Sequence, residues 1–238
     1  MPDPQTTVVL VHGAFAESAS WNGVIERLGA AYDVVAAANP LRGVAGDAAY
    51  VRDVMRGIGG PVVLVGHSYG GMVITQAAAD ETSVRALVYV NALCPDTGES
   101  ALSLSGKFPG STLADTLVQY PVPTGGNEVA IGQDAYHAQF AADVPTDLAA
   151  LMARTQRPIT EQALSDTLSG DPAWRSLPSW FVFGDADMNI PVAAHRFMAE
   201  RAAPQGQREV AGGSHAMAVS RPSEVAETII EAVRGVSG

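Results

Sequence analysis

Short apolar runs rich in β-branched residues alternate, over the first ninety residues, with stretches whose apolar positions recur at helical spacing. Thr7-Val8-Val9-Leu10-Val11 is apolar at almost every position, which predicts a strand buried on both faces and ended by His12-Gly13. Residues 20–28 read as a helix and 32–38 as the next strand. Over 47–58, Val51, Val54, Met55 and Ile58 share one helical face. Residues 61–65 then repeat the two-sided apolar pattern, 70–79 read as a helix, and Val84–Val90 as a further strand.

The rhythm stops after Val90. Residues 93–176 offer no clear buried strand. They hold turn-rich stretches at 109–110 and 121–127, and short helical patterns over 143–154 and 160–168. An insertion of this length in a compact domain is usually functional. Alternation resumes with a strand over 180–183, a helix over 193–202, a strand over 207–210 and a closing helix over 222–233. Strands alternating with helices predict an α/β fold with a parallel sheet. We expect one domain over residues 1–238, its core formed by 1–92 and 177–238, with a small helical cap inserted at about 93–176. No internal repeat or low-complexity segment interrupts it.

Composition narrows the partners. A length of 238 residues suits one α/β domain, and 47% hydrophobic with 16% charged residues is a globular rather than a disordered balance. The formal charge of −11 argues against nucleic acid and anionic membranes, both of which demand a positive surface. Cys94 is the single cysteine, so no intrachain disulfide is expected. The polar start from Met1 to Thr7 lacks a signal pattern and no apolar run has membrane-spanning length, so a cytoplasmic protein is expected. A homodimer is compatible with all of this.

The chemistry sits at the strand ends. Gly66-His67-Ser68-Tyr69-Gly70 fits G-x-S-x-G, follows a two-sided apolar strand and opens a helix, so Ser68 is expected on a sharp strand-to-helix turn. A serine hydroxyl is a weak nucleophile and needs a base, which needs an orienting acid, in the chain order serine, acid, histidine. His137, His195 and His215 follow Ser68. His137 lies in the insertion and His195 inside a helical pattern, so both are expected to be surface or packing residues. His215, in a loop between a strand and the last helix, is the expected base. For the acid, Asp187 ranks before Asp185, which could serve the turn after Gly184, and Asp96 is third. The oxyanion donors expected are the N–H groups of Tyr69, next to the nucleophile, and Ala14, in the loop after the first strand. His12 is expected to brace that loop. Cys94 is not expected to be a nucleophile. Phe15, Phe108, Phe140, Trp174 and Met217 are candidate apolar walls of a substrate pocket. No metal-ligand spacing, P-loop or strand-bound G-x-G-x-x-G is present, so neither metal nor cofactor is expected.

Val11-His12-Gly13-Ala14-Phe15, Gly66 to Gly71, Gly184 with Asp187 and Pro191, and Gly213-Ser214-His215 together resemble an α/β-hydrolase. The most similar branch holds plant methylesterases, hydroxynitrile lyases and small bacterial esterases. The resemblance spans nearly the whole chain outside residues 93–176. Its Gly-x-x-Asp-x-x-x-Pro spacing supports Asp187 over Asp185. The lyases place a threonine where this chain has Gly13 and a lysine where it has Ala216, which favours ester chemistry. Relatives with an aspartate nucleophile, the haloalkane dehalogenases and epoxide hydrolases, are excluded by Ser68. The resemblance implies hydrolysis of a small-molecule ester through an acyl-serine intermediate. Lactone, thioester or carbon–carbon cleavage on the same three residues, or a ligand-sensing receptor with slow turnover, stand as alternatives.

Overall fold

A computed structural model describes residues 6–236; most of the polar N-terminal stretch read above lies outside them. The first half of the sheet follows the apolar runs. Strand β1 (Thr7–Val11) leads to α1 (Asn22–Leu28), β2 (Asp33–Ala37), α2 (Val44–Ile58), β3 (Val62–His67), α3 (Gly70–Ala77) and β4 (Val84–Val90). The inserted segment carries α4 (Ala101–Ser105), β5 (Leu117–Pro121), β6 (Asn127–Ile131), α5 (Tyr136–Phe140), α6 (Thr146–Thr155), β7 (Ile159–Thr160) and α7 (Glu161–Ser165). The core then closes with β8 (Ser179–Gly184), α8 (Val192–Ala202), β9 (Gly206–Val210), α9 (Met217–Ser220) and α10 (Pro222–Val236).

Among the described residues, β2-β1-β3-β4-β8-β9 form a six-stranded sheet whose neighbours all pair in parallel. Side-chain alternation divides each strand between two layers. Val8, Leu10, Val63, Val65, Val88 and Val182 face α1 and α10 through Val24, Val225 and Ile229, with Trp21 just before α1 in the same layer. Val9, Val11, Leu64, Leu87, Phe181 and Phe183 face α2, α3 and α8 through Val51, Met55, Met72, Val73 and Met198. Burying a Val, Leu, Ile or Phe side chain fully is worth about 1.5–3 kcal/mol, so the two faces supply most of the favourable energy. Parallel pairing brings the strand ends that carry His12, Ser68, Asn91, Asp187 and His215 to one edge of the sheet, as binding sites of such folds require.

The insertion is helical where the pattern indicated, at α6 and α7, but it also contains strands that the pattern did not predict. Strands β5 and β6 pair antiparallel with Leu117 opposite Ile131 and Pro121 opposite Asn127, and β7 pairs with β6. The turn-rich stretch 121–127 is their hairpin connection. The reason for the omission is physical: β5 is mostly exposed, and buried β6 includes Glu128, which is charged. That carboxylate is accommodated by Arg42 and by a 2.5 Å hydrogen bond from the Tyr120 hydroxyl. The insertion is fastened to the core at the start of α2, where Val44 N–H donates to Asp166 Oδ2 at 3.1 Å. Thr160 N–H donates to the Leu41 carbonyl nearby at 3.2 Å.

Candidate active site

The turn from β3 to α3 holds Ser68 at φ 54°, a conformation that costs a non-glycine residue about 1–3 kcal/mol. Backbone bonds enforce it. Ser68 N–H donates to the Val90 carbonyl (3.3 Å), and its own carbonyl accepts from Gly71 (2.9 Å) and Leu93 (3.1 Å). A Cβ on Gly70 would lie 2.4 Å from the Val11 carbonyl oxygen, so only glycine lets β1 approach the turn this closely.

His215 lies in the loop between β9 and α9. Its Nδ1 is 2.7 Å from Asp187 Oδ2, while Nε2 is buried and has no hydrogen-bond partner among the described residues. Asp187, in the loop after β8, has a fully buried side chain. Its Oδ1 accepts the N–H groups of Asn189 (2.8 Å) and Ile190 (2.9 Å), and its Oδ2 is also 3.1 Å from His195 Nε2. Burial alone would raise the pKa of this carboxyl. The electrostatic attraction of His215 and the hydrogen bonds from both histidines outweigh it and hold Asp187 well below the usual carboxylate range. An ionised carboxylate only accepts, so each histidine nitrogen facing it carries a proton.

His67, adjacent to Ser68, lies ring to ring with His215 (centroids 4.9 Å apart), and its Nε2–H donates to the His215 carbonyl at 2.9 Å. Burial first, and the nearby His215 second, lower its pKa to about 3. Asn91, wholly buried at the end of β4, donates from Nδ2 to the Ser214 carbonyl (2.7 Å) and accepts the Gly184 N–H at Oδ1 (2.8 Å). It therefore ties the loop of His215 to the strand end that carries Asp187.

The loop after β1 packs directly on the serine turn: a Cβ on Gly13 would lie 2.6 Å from Ser68 Cβ and 2.7 Å from the His67 carbonyl oxygen. His12 is buried at the base of this loop, its Nδ1 2.9 Å from the Gly13 carbonyl, with a pKa lowered to about 4 mainly by burial. The Phe15 N–H is committed to the Arg157 carbonyl (3.0 Å). Ala14, Phe15, Ser68 and Tyr69 line a cavity of about 300 Å³ together with Asn189 and Ile190. Leu93 and the inserted residues Leu102, Leu113, Leu117 and Leu164 complete much of its apolar wall. None of its described lining residues is charged.

Several expectations need correction. Of the five candidate wall residues only Phe15 faces this cavity. Phe108 packs on Phe197 (5.7 Å), and Phe140 packs on Tyr136 (5.0 Å) and on the His215 ring (4.9 Å). Trp174 is buried with its Nε1–H on the Pro95 carbonyl (2.7 Å), and Met217 belongs to the core layer on the other face of the sheet. Each fills space in the folded body, which aromatic and methionine content alone cannot distinguish from pocket lining. His195 is not merely a packing residue, since it contacts Asp187. The signals for it and for Asn91 were faint: a histidine one helical turn after Pro191, and one polar residue ending an apolar strand. Asp185 accepts the Gly212 N–H at 2.7 Å, Asp96 pairs with Arg175 at 2.7 Å, and His137 Nε2 donates to the Val144 carbonyl at 2.9 Å. Each of these three has a partner other than Ser68, Asp187 or His215. Cys94 is buried and its thiol is pushed up to about 12 by that burial.

Residues 8–228 match the alpha/beta hydrolase family, well over half of the chain. The chain belongs to that family. Among individual hydrolases and their kin, polyneuridine aldehyde esterase superposes with a TM-score of 0.81 at 21% identity, over 96% of this chain and 99% of that one. A pyrethroid hydrolase from Sphingobium faniae JZ-2 superposes with a TM-score of 0.76 at 20% identity, over 97% and 98% of the two chains. At these identities the likeness concerns the fold. A carbendazim hydrolyzing esterase of Nocardioides sp. (strain SG-4G) is 52% identical over 48 residues, a stretch covering 19% of each chain. Among the described residues no helix is long and apolar enough to cross a membrane, and no group of three or more His, Cys, Asp or Glu is placed to hold a metal ion.

Proposed function

We propose that this alpha/beta hydrolase is a serine esterase that cleaves small, uncharged carboxylic esters, with Ser68 as nucleophile, His215 as base and Asp187 as acid. The observation that carries the reading is the 2.7 Å contact between His215 Nδ1 and Asp187, which leaves the buried Nε2 without a partner, together with Ser68 held at φ 54° next to His67, whose ring lies 4.9 Å from that of His215. That Nε2 takes the Ser68 proton as Oγ attacks the ester carbonyl carbon. Negative charge passes to the carbonyl oxygen, and the N–H groups of Ala14 and Tyr69 receive it. The imidazolium returns the proton to the departing alcohol, leaving an acyl-serine. Water, deprotonated by the same Nε2, then releases the acid and restores Ser68.

The uncharged, largely apolar cavity lining favours a neutral substrate, because an unpaired charge there would lose its hydration without compensation. Two of the similar proteins, polyneuridine aldehyde esterase and the carbendazim hydrolyzing esterase, are esterases, which supports ester cleavage. Ester chemistry is preferred to cyanohydrin cleavage because position 216 is Ala and brings no cation beside His215 for a departing cyanide. The direct test is turnover of p-nitrophenyl esters and lactones of graded chain length, with Ser68→Ala as the blank. Loss of the nucleophile is expected to lower kcat by about 10⁴ to 10⁶. A folded Ser68→Ala protein with wild-type turnover would overturn the reading.

A further inference from the structure

Asp187 is held by more than the one histidine its role requires. Two backbone N–H groups occupy Oδ1, and two imidazole nitrogens converge on Oδ2. The second ring, His195, stands in the second turn of α8. It is 1% exposed and lies flat on Phe183 with centroids 5.2 Å apart and an interplanar angle of 12°. Packing on Phe183 would be satisfied by any flat ring. A nitrogen directed at a fully buried carboxylate is a more specific arrangement. The peptide linking the two residues is also short: Asp187 bonds Ile190 N–H, and the Pro191 carbonyl accepts His195 N–H at 3.2 Å, so acid loop and helix start are one rigid unit.

We propose that His195 is a positioning residue for the Asp187–His215 pair, its Nε2–H holding the carboxylate in the plane of the His215 ring and taking a share of the charge on Oδ2. The inference rests on the esterase reading above, since only there does the pair act as acid and base. Two physical effects follow. With four donors the carboxylate cannot rotate, which keeps His215 Nε2 directed toward the serine turn. Because Oδ2 is shared, it stabilises an imidazolium at position 215 less than an unshared oxygen would.

The remaining groups around His215 do not supply this effect. His67 is neutral, its pKa near 3 set chiefly by burial. Arg221, whose Nη2 reaches the same loop at Gly212, is paired with Asp143 at 3.3 Å. Glu209 on β9, the carboxylate that faces α8, is held by Arg196 at 2.5 and 2.8 Å.

His195→Phe keeps the stack on Phe183 and deletes the donor; His195→Gln keeps an N–H that can reach Oδ2. Two readouts apply to both: NMR titration of the His215 imidazole, and the pH profile of kcat/KM for an activated ester. Hydrogen bonds to charged groups carry enough energy to move a titration by about one pH unit. His195→Phe is therefore expected to raise the His215 midpoint and the acid limb of the profile together by about one unit. It is also expected to lower kcat about tenfold with KM kept, since a shifted catalytic group costs rate rather than binding. His195→Gln is expected to restore both. If His195→Phe does not fold, His195→Ala with and without added imidazole reads the same bond, imidazole returning the His215 midpoint to its wild-type value. An unshifted His215 in a folded donor-less variant would overturn the proposal, as would a Gln variant as impaired as the Phe one. The titration needs no turnover, so failure of the esterase reading, seen as Ser68-independent cleavage, is separable from failure of this one.

Discussion

Gly13→Ala is the smallest change that strikes the assembly at its tightest point. The added carbon would lie 2.6 Å from Ser68 Cβ, 2.7 Å from the His67 carbonyl oxygen and 3.1 Å from the Tyr69 nitrogen. Carbon atoms in contact sit about 3.5–4.0 Å apart, so the loop and the serine turn must separate by about 1 Å. Nothing opposite can rotate away, because the obstacles are backbone and the nucleophile's own Cβ. The loop is also pinned just beyond, where the Phe15 N–H meets the Arg157 carbonyl (3.0 Å) and the Phe15 carbonyl accepts the Tyr136 hydroxyl (2.7 Å). Overpacking of this kind costs about 1–3 kcal/mol of stability. Displacement of the Ala14 and Tyr69 donors relative to Ser68 is expected to lower kcat about 10²-fold. Steady-state hydrolysis of p-nitrophenyl butyrate, beside urea unfolding of the same samples, separates the two effects. Gly46→Ala is the control: this α2 position has no atom within 4 Å of an added Cβ, so activity is expected to hold and stability to rise by about 0.5–1 kcal/mol. A Gly13→Ala enzyme with unchanged kcat and unfolding midpoint would refute the close-packed loop as the carrier of the oxyanion donors.

Asp187→Asn is expected to reduce ester turnover far more than Asp185→Asn, because only Asp187 contacts His215 whereas Asp185 serves the Gly212 turn; matched kcat measurements on one activated ester decide it, and the reverse ranking would move the acid to Asp185. Mandelonitrile cleavage, read as cyanide release with Ser68→Ala as blank, is expected at background, and serine-dependent release faster than ester turnover would place the chain with the lyases. Stability is expected to fall as pH drops from about 6.5 toward 4, because the unfolded chain protonates His12 and His67 near 6.5 while the folded chain keeps them neutral to about 4 and about 3. The lowered pKa of Asp187 extends the loss to lower pH, below about 4, where the carboxyl of the unfolded chain takes up a proton and the folded one does not. Urea midpoints across that window measure the slope, and a flat midpoint would contradict the buried neutral histidines.

How much could be read from the residues follows from how local each signal is. The buried parallel strands announce themselves because each is apolar on both faces, and Gly66 to Gly70 is legible because its strand-turn-helix setting lies in adjacent residues. The exposed hairpin of β5 and β6 is not legible, since half its positions face solvent and its buried Glu128 depends on Arg42, far away in sequence. The same holds for His195 and Asn91. Their roles come from contacts with Asp187, Ser214 and Gly184 that only the assembled strand ends create. Phe140 and Met217 mislead for the converse reason. They have the chemistry of a pocket wall, yet the fold spends one behind the His215 ring and the other beneath the sheet.

Covalent labelling of Ser68 tests the nucleophile most directly. A fluorophosphonate reacts only with a serine whose proton can be taken by a nearby base, and the adduct is located by mass spectrometry of the peptide containing Gly66 to Gly71. A Ser68 nucleophile activated by His215 predicts one adduct per chain on Ser68, none on Ser68→Ala, and labelling slowed by orders of magnitude in His215→Ala. Stoichiometric labelling at another residue, or equal labelling rates in wild type and His215→Ala, would contradict it.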